Sequence, residues 1–509
     1  MWDVVSLAKR AAGTSVMPDS NFVRSNPFVL AGSWALRHIA EKYQTLAAIQ
    51  LPFLAILLLS VAMIAWRYGG RSAATLAPWV ALAGPMTVGL AVHLDDLLPL
   101  QAMASAAVAC FAWSDRPRRT KLVWLAVLPL AAGVLLADWF SNGILMMLAV
   151  GGAAAGVLMF QWIESRRAAG ARPWSQIAGA AFSFAGAVAV LWPSLQWRYI
   201  TGEATDPRFS AYAPSSDFVG AVTAFPDAWF RFHAGPVMAG WTLVALAAAL
   251  TFTKNRARFI PGLTWLILPM IVMAMFGKRY DYYVAAAIPA TYVLLAVAVT
   301  AWTPAVLRRA AAVLCVASLA AAWGWQATRR VSLADVPAEP ERFHLRPYPY
   351  LYSPKSEVLF EVPIWPDLER YKELGAMGEW IAETCAPHRR AVLFVSYLGF
   401  ERDTSFDIWH DDNRVAFDIW HRHPDLVVGD IRRGPFPDAP PCLVTYCPPW
   451  RDSRSPCTLD GELADFRDRA IRANFFRTRH RRTPGPDGRA CGARRAAGVF
   501  RIGNDVFVI

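Results

Sequence analysis

Long apolar stretches alternate with short charged loops between about residue 46 and residue 326. A helix that crosses a bilayer needs about 20 mostly apolar residues, because lipid offers an exposed backbone no hydrogen-bond partner. The apolar stretches at 121–138 and 143–162 are separated only by residues 138–142, so one of these two helices is expected to be tilted or broken. The pattern predicts about ten membrane-spanning helices, at 46–66, 73–92, 97–113, 121–138, 143–162, 175–194, 234–253, 259–277, 282–302 and 307–326.

From residue 327 to residue 509 the pattern becomes that of a soluble domain. Residues 327–358 are rich in Pro, Tyr and charge, which predicts a linker. Helical spacing at 368–384 and three strand-like segments together predict a small α/β domain. These segments are Ala391–Val395, Cys442–Tyr446 and a terminal hairpin, Val499–Ile509, that turns at Gly503-Asn504.

The composition supports a membrane protein. Charged residues make up 18% of the 509 residues, whereas soluble proteins usually contain about 25%. The formal net charge of +12 could indicate nucleic-acid binding, but the cations lie in short loops between apolar stretches. Because neither zinc-finger spacing nor a basic stripe with interleaved aromatic residues occurs, we exclude nucleic acid as a partner.

The loops alternate in charge, which predicts their sidedness. One set carries about 14 cations and the other about five, so the first set is expected to be cytoplasmic. The second set, and with it the C-terminal domain, is then expected to face outward. The first set contains Arg67, Arg71, Arg116, Arg118, Arg119, Lys121, Arg166, Arg167, Arg172, Lys254, Arg256, Arg258, Arg308 and Arg309; the second contains Arg198, Arg208, Arg231, Lys278 and Arg279.

The N-terminal segment conflicts with this assignment. Residues 1–45 would lie outside, although they carry five cations and no apolar segment typical of a signal peptide. We expect that a first helix upstream of this segment is missing, through a misplaced start codon. The alternative is that one span is miscounted and the N-terminus is cytoplasmic.

Five of the seven cysteines lie in the C-terminal domain, where an outward location predicts one or two disulfides. A metal site is disfavoured there, because Cys442 and Cys447 lack close CxxC spacing. A repeated pentapeptide, Phe406–His410 and Phe417–His421, could bind a metal or a sugar, but we favour chance similarity. The five cysteines are Cys385, Cys442, Cys447, Cys457 and Cys491. The other two, Cys110 and Cys315, lie in apolar spans, where we expect them to be unreactive packing residues.

Two ionisable clusters lie at the outward ends of spans, where such residues are candidates for function. The first, His93-Leu94-Asp95-Asp96, joins the second and third spans. Its carboxylates, Asp95 and Asp96, could hold a divalent cation or act as a general base. The alternative is a solvated hairpin tip.

The second cluster pairs Lys278 with Arg279, and Tyr280, Tyr282 and Tyr283 follow closely. Arg binds phosphate bidentately and Lys binds it as a point charge, so the cluster predicts a phosphate site. The alternative is an interfacial aromatic belt with snorkelling cations. The scarcity of cations on this side counts against that alternative.

The outward loop 195–233 is long and rich in Trp and acidic residues, and long connections are often functional. It contains Arg198, Arg231 and His233, which we take as candidate contacts to an acceptor.

These features resemble the GT-C glycosyltransferases, in particular the branch of protein O-mannosyltransferases and the lipid A aminoarabinose transferase. The resemblance implies a polyprenyl-phosphate-linked sugar donor and inverting transfer on the periplasmic side of a bacterial inner membrane. It assigns Lys278 and Arg279 to the lipid phosphate, and Tyr282 and Tyr283 to its aromatic partners. There are two looser matches. Asp95 and Asp96 match an acidic position of the family in the second outward loop, and Asn26-Pro27-Phe28 resembles its Asn/His-Pro-Pro segment, with Phe in place of the second Pro.

The chain departs from the family at its start. The family places its catalytic carboxylate, usually an Asp-Glu pair, just after the first helix, whereas this chain begins Met1-Trp2-Asp3. Asp3 is then the only nearby carboxylate. This departure coincides with the missing helix expected from the charge pattern.

The sequence therefore predicts a polytopic α-helical membrane protein with a C-terminal soluble α/β domain, acting as a glycosyltransferase. The alternatives are a transporter, which the lack of mid-span charge disfavours, a degenerate glycosyltransferase that serves as a scaffold, and a polysaccharide ligase or polymerase. Membrane lipids and the lipid-linked donor are the expected partners.

Overall fold

The computed structural model describes most of the predicted membrane region and a few segments of the C-terminal third. The longer described ranges are 50–92, 97–114, 121–137, 140–167, 174–200, 225–275, 281–302 and 304–328. Scattered positions between 31 and 49, position 223, and 376 with 378–383 are also described, as are the strands given below.

Eleven α-helices within these longer ranges form the membrane region. They are α1 Gln50–Leu82, α2 Pro85–Val92, α3 Leu97–Trp113, α4 Leu122–Leu125, α5 Val127–Leu136, α6 Phe140–Arg167, α7 Trp174–Ile200, α8 Gly235–Phe252, α9 Ile260–Ala274, α10 Pro289–Thr300 and α11 Ala305–Thr328. A π-helix spans Trp229–His233, and 3₁₀ helices span Arg256–Phe259 and Asp281–Ala287.

Each predicted span overlaps at least one of these helices. Six of the described helices are long and apolar enough to cross a membrane, and three further apolar helices are shorter. One long helix, α1, covers parts of the first two predicted spans and is kinked at Gly70, whose φ of 78° suits glycine. The total of ten spans stays a prediction.

The fourth predicted span corresponds to α4 and α5, which meet at Ala126, a residue with α-helical φ and ψ. The expectation that the fourth or the fifth span is tilted or broken stays a prediction. Ser183 of α7 donates a hydrogen bond of 2.9 Å to the carbonyl of Val123 in α4. The short helix α4 is thereby tied to its neighbour by a side chain as well as by apolar packing.

The core centres on α3 and α10, which are buried nearly all round. Every residue of α10 is buried, and the helix packs against α1, α8 and α9. Helix α3 packs against α1, α5 and α6. A helix that is apolar on every face is stable only inside a bundle or a bilayer, so these two helices form the interior.

Helix ends that the charge pattern assigns to one side meet in space. The guanidinium of Arg67 donates to the carbonyl of Ala112 at the end of α3 (3.2 Å) and lies 5.3 Å from the ring centre of Phe160 in α6. The 3₁₀ helix at 256–259 packs against α1 and α6 as well. These contacts agree with the predicted alternation of the spans, while the identity of the two sides stays a prediction.

Five strands from the C-terminal third form one sheet in the order β2-β1-β3-β5-β4. Strand β1 pairs in parallel with β2 and β3, and β5 pairs antiparallel with β3 and β4. The strands are β1 Ala391–Val395, β2 Val427–Asp430, β3 Cys442–Cys447, β4 Val499–Ile502 and β5 Asp505–Val508.

Four of these strands lie where the sequence predicted them, and Ile502 pairs with Asp505 across the predicted hairpin turn. The sequence did not predict β2. Residues 376 and 378–383 are helical, within the predicted helix at 368–384. The boundaries of a separate α/β domain stay a prediction. Most of the predicted linker, the repeated pentapeptides and Cys385, Cys457 and Cys491 lie outside the described residues.

Candidate functional site

The described helices bring the flanks of the two predicted clusters together. Helix α3 begins just after loop 93–96, and the 3₁₀ helix at 281–287 begins just after residues 276–280. These two elements pack against each other, and α2 packs against the π-helix. The candidate site is therefore the end of the bundle formed by α2, the start of α3, the π-helix and the 3₁₀ helix.

Several of the predicted site residues lie outside the described part of the chain. They are Asp3, Asp95, Asp96, Lys278, Arg279 and Tyr280. Tyr282 and Tyr283 lie in the 3₁₀ helix by their backbone, Arg198 lies near the end of α7 and Arg231 in the π-helix. The side chains of these four are not described, so the assigned roles of all ten residues stay predictions.

The 3₁₀ helix at 281–287 is firmly anchored in the core. Val284 to Ala287 are at most 5% exposed. The indole N–H of Trp265, a buried residue of α9, donates to the carbonyl of Ala286 over 3.1 Å. Pro289 then begins α10, where its missing N–H and fixed φ suit the first helical turn. A rigid element thus supports the backbone of Tyr282 and Tyr283.

A buried polar cluster joins three elements at this end of the bundle. The hydroxyls of Thr87 in α2 and Tyr292 in α10 lie 2.7 Å apart. The indole N–H of Trp229 in the π-helix donates to the hydroxyl of Thr291 over 2.8 Å. Neighbouring residues of α10 therefore hold α2 on one side and the π-helix on the other.

Gly84, between α1 and α2, makes the first of these contacts possible. A Cβ added there would lie 2.7 Å from the Tyr292 hydroxyl. That distance is too short for a side chain, so the hydroxyl of Tyr292 can approach the start of α2 only because residue 84 is glycine.

The π-helix at 229–233 carries one candidate residue whose side chain is described. His233 is fully buried, and the chain turns at Gly235, whose φ is 73°, into α8. Short π-helical segments occur frequently at functional sites. The structure places the His233 side chain in the packed interior, next to the turn into α8.

Sequence reasoning overlooked Gln101. This residue of α3 is fully buried, and neither its Nε2 nor its Oε1 has a hydrogen-bond partner in the described part of the chain. It stands in the otherwise apolar start of the third predicted span, so an unexpected amide was visible in the sequence. Because Gln carries no charge, Gln101 does not belong to the ionisable clusters that the sequence pattern predicts.

The described residues contain no metal site. No three His, Cys, Asp or Glu side chains among them lie close enough together to hold an ion. The hypothesis of a divalent cation at Asp95 and Asp96 therefore stays a prediction.

Neither a protein-family model nor a curated protein matches the sequence. Among solved structures, a crystal structure of ArnT from Cupriavidus metallidurans bound to undecaprenyl phosphate is similar, with a TM-score of 0.53 at 14% identity over 87% of each chain. The apo form of that ArnT gives a TM-score of 0.49 at 14% identity, again over 87% of each chain. An oligosaccharyltransferase of Archaeoglobus fulgidus tethered to an acceptor peptide gives 0.39 at 12% identity, over 84% of this chain and 59% of that one.

The similarity to the undecaprenyl-phosphate-bound ArnT shows the fold. The chain shares the fold of that ArnT, which is the fold that the sequence resemblance implied, so this expectation is confirmed. Together with the long apolar helices, this fold makes the chain a multi-pass membrane protein.

Proposed function

We propose that this chain is a membrane glycosyltransferase that moves a sugar from a polyprenyl-phosphate donor to a hydroxyl-bearing acceptor. The observation that carries the proposal is the fold, which it shares over 87% of its length with an ArnT bound to undecaprenyl phosphate. The basic pair Lys278-Arg279 supports it, because it directly precedes the anchored 3₁₀ helix.

In the proposed reaction a carboxylate takes the proton of the acceptor hydroxyl. The acceptor oxygen attacks the anomeric carbon, and the bond from that carbon to the phosphate oxygen breaks. The electron pair leaves with the lipid phosphate, where Lys278 and Arg279 stabilise the growing negative charge. Asp95, Asp96 and Asp3 are the candidate bases. We assign the acceptor to the segment 195–233, which contains Arg198 in α7 and Arg231 and His233 in the π-helix.

We place the reaction on the outward face of a bacterial inner membrane, with the C-terminal domain on the same side. The charge pattern of the loops supports this orientation. The packing of the 3₁₀ helix at 281–287 against α3 and its hydrogen bond from Trp265 of α9 support a single site at that face, because Lys278 and Arg279 come shortly before this helix in the sequence.

The test is sugar transfer by membranes from cells that express the gene, measured with a donor pool radiolabelled in the sugar. Replacing both Lys278 and Arg279 by Ala should lower the transfer rate at least 100-fold, since two charge-assisted hydrogen bonds worth about 1.5–3 kcal/mol each are lost. The matched control replaces Lys254 and Arg256, two exposed cations of the opposite loop set, and should transfer at the wild-type rate. Full activity of the Lys278/Arg279 variant would refute the proposal.

A further inference from the structure

Helix α11 carries an open apolar groove on its outer side. The groove has a volume of about 400 Å³. Val313 and Val316 in it are 67% and 39% exposed, whereas another stripe of the same helix, Ala311, Cys315 and Leu319, is at most 4% exposed and packs into the bundle. The groove therefore faces the surroundings of the bundle and not its core. Four apolar residues of α11 line it: Ala312, Val313, Val316 and Ala317.

Arg309 lies at the head of this groove, on the same side of α11. An α-helix turns by about 100° per residue, so Val313 and Val316 project within about 40° of Arg309. From Arg309 to Ala317 the helix rises by about 12 Å. The hydrocarbon layer of one leaflet is about 15 Å thick, which is half of the bilayer core. The cation and the groove below it therefore match the headgroup and the acyl chain of one phospholipid.

The positive charge of Arg309 is not balanced by the helices around it. Its side chain is exposed and makes neither an ion pair nor a hydrogen bond within the described part of the chain. Helix α11 contains no Asp or Glu, and neither do α1, α8 and α10, which pack against it. A guanidinium binds phosphate bidentately through its planar fork of N–H groups. The counter-charge that suits Arg309 is therefore the phosphate of a molecule outside the bundle.

The head of the groove is remote from the candidate functional site. Helix α10 begins shortly after the 3₁₀ helix at 281–287 and rises by about 18 Å to its end. Helix α11 then begins at Ala305, so Arg309 lies near the other end of the bundle. The chain runs back from there, because Ser318 of α11 accepts a 2.6 Å hydrogen bond from the indole N–H of Trp241, near the start of α8. The groove is thus separate from the site proposed for sugar transfer.

We infer that this groove binds one anionic phospholipid, with its phosphate at Arg309 and an acyl chain along Ala312 to Ala317. The inference goes beyond the proposed function and does not depend on it. Helix α11 is the least buried of the six long apolar helices, with 17% of residues 305–322 buried. A phospholipid in the groove covers part of the face that the bundle leaves open.

The experiment measures how tightly the purified full-length protein retains added phospholipid, by native mass spectrometry, which also reads the oligomeric state. The probes are phosphatidylglycerol and phosphatidylcholine with the same acyl chains. The wild type should bind one phosphatidylglycerol about fivefold more tightly than phosphatidylcholine, the effect of one cation near an anionic lipid. Arg309→Gln should bind the two lipids equally. The matched control, Lys121→Gln, removes an exposed cation beside α4 and should keep the preference.

A second pair of variants tests the groove itself. Val316→Phe fills the groove and should lower the retention of both phospholipids, because the acyl chain loses its place. The matched control is Leu314→Phe, which adds a ring about 200° further round the same helix. Leu314 is 60% exposed, and this variant should bind both lipids like the wild type. Because both positions are exposed, neither change should prevent folding.

Each alternative occupant gives a distinct result. Equal affinity of the wild type for the two phospholipids, or an unchanged preference in Arg309→Gln, overturns the phosphate contact. Equal losses in Val316→Phe and Leu314→Phe overturn the groove as the binding place. Tighter binding of undecaprenyl phosphate than of phosphatidylglycerol, lost in Val316→Phe, would assign the groove to the lipid chain of the sugar donor. A dimer that Val316→Phe dissociates would assign it to a second copy of the chain. Either result overturns the inference, and neither bears on the proposed function, which is tested at Lys278 and Arg279.

Discussion

At the scale of single residues, the polar side chains inside the bundle join elements that are distant in sequence. Thr87 and Tyr292 are 205 positions apart, and Trp229 and Thr291 are 62 apart. Their residue types are plain in the sequence, but no pattern along the chain pairs them. The pairing follows from the packing of α2 and the π-helix against α10, so it could not have been predicted from the sequence.

The Thr87–Tyr292 pair is testable by a double-mutant cycle with Thr87→Val and Tyr292→Phe. Each change leaves a buried hydroxyl without its partner, so each should lower the free energy of unfolding. The coupling energy should be about 0.6 kcal/mol and at most about 1.7 kcal/mol, the mean and the maximum for hydrogen bonds between membrane helices. Unfolding by denaturant in detergent micelles measures it.

The control for this cycle is Thr251→Val. That hydroxyl is exposed and bonds within its own helix to the carbonyl of Ala247, so its loss should not couple to Tyr292→Phe. A coupling energy near zero for Thr87 and Tyr292 would mean that the pair does not hold α2 onto α10.

At the scale of elements, helix positions could be predicted because lipid forces an apolar run of sufficient length to be helical. The π-helix and the two 3₁₀ helices could not, because they differ from α-helix only in hydrogen-bond register, which tertiary packing decides. Close helix packing also depends on residues whose role appears only in three dimensions. Gly152 and Gly156 in α6 form a G-x-x-x-G pattern against α9.

Gly156→Ala tests this packing. The added Cβ would meet the hydroxyl of Thr264 and lie 2.8 Å from Cα of Pro261, so α6 and α9 must separate. Overpacking of this kind should lower the free energy of unfolding by about 1–3 kcal/mol. Gly240→Ala in α8 is the matched control, because no atom lies within 4 Å of its added Cβ. It should leave stability unchanged or raise it by up to about 1 kcal/mol. Equal effects of the two changes would contradict the tight α6–α9 contact.

At the scale of the whole molecule, the sequence predicted the GT-C fold through a few motifs at the ends of spans. A solved structure only 14% identical shares the fold of this chain. Apolar helices can keep their arrangement while almost every residue changes. Within the sheet, β1, β3 and the terminal hairpin were recognisable from apolar runs and a turn. Strand β2 has only two apolar residues, Val427 and Val428, before Gly429 and Asp430. The catalytic base is the part of the site that the sequence leaves open, since Asp3, Asp95 and Asp96 compete for that role.

The measurement that tests the central claim most directly is release of undecaprenyl phosphate by the purified protein from undecaprenyl-phosphate-linked sugars extracted from the host membrane. Mass spectrometry follows donor and product together, and no acceptor need be known if the extract supplies it. The wild type should convert one donor species to undecaprenyl phosphate, while the double Lys278/Arg279→Ala variant should leave it intact. Failure of the wild type to consume any donor, or equal consumption by the variant, would contradict the claim that this fold transfers a sugar from a lipid phosphate held by Lys278 and Arg279.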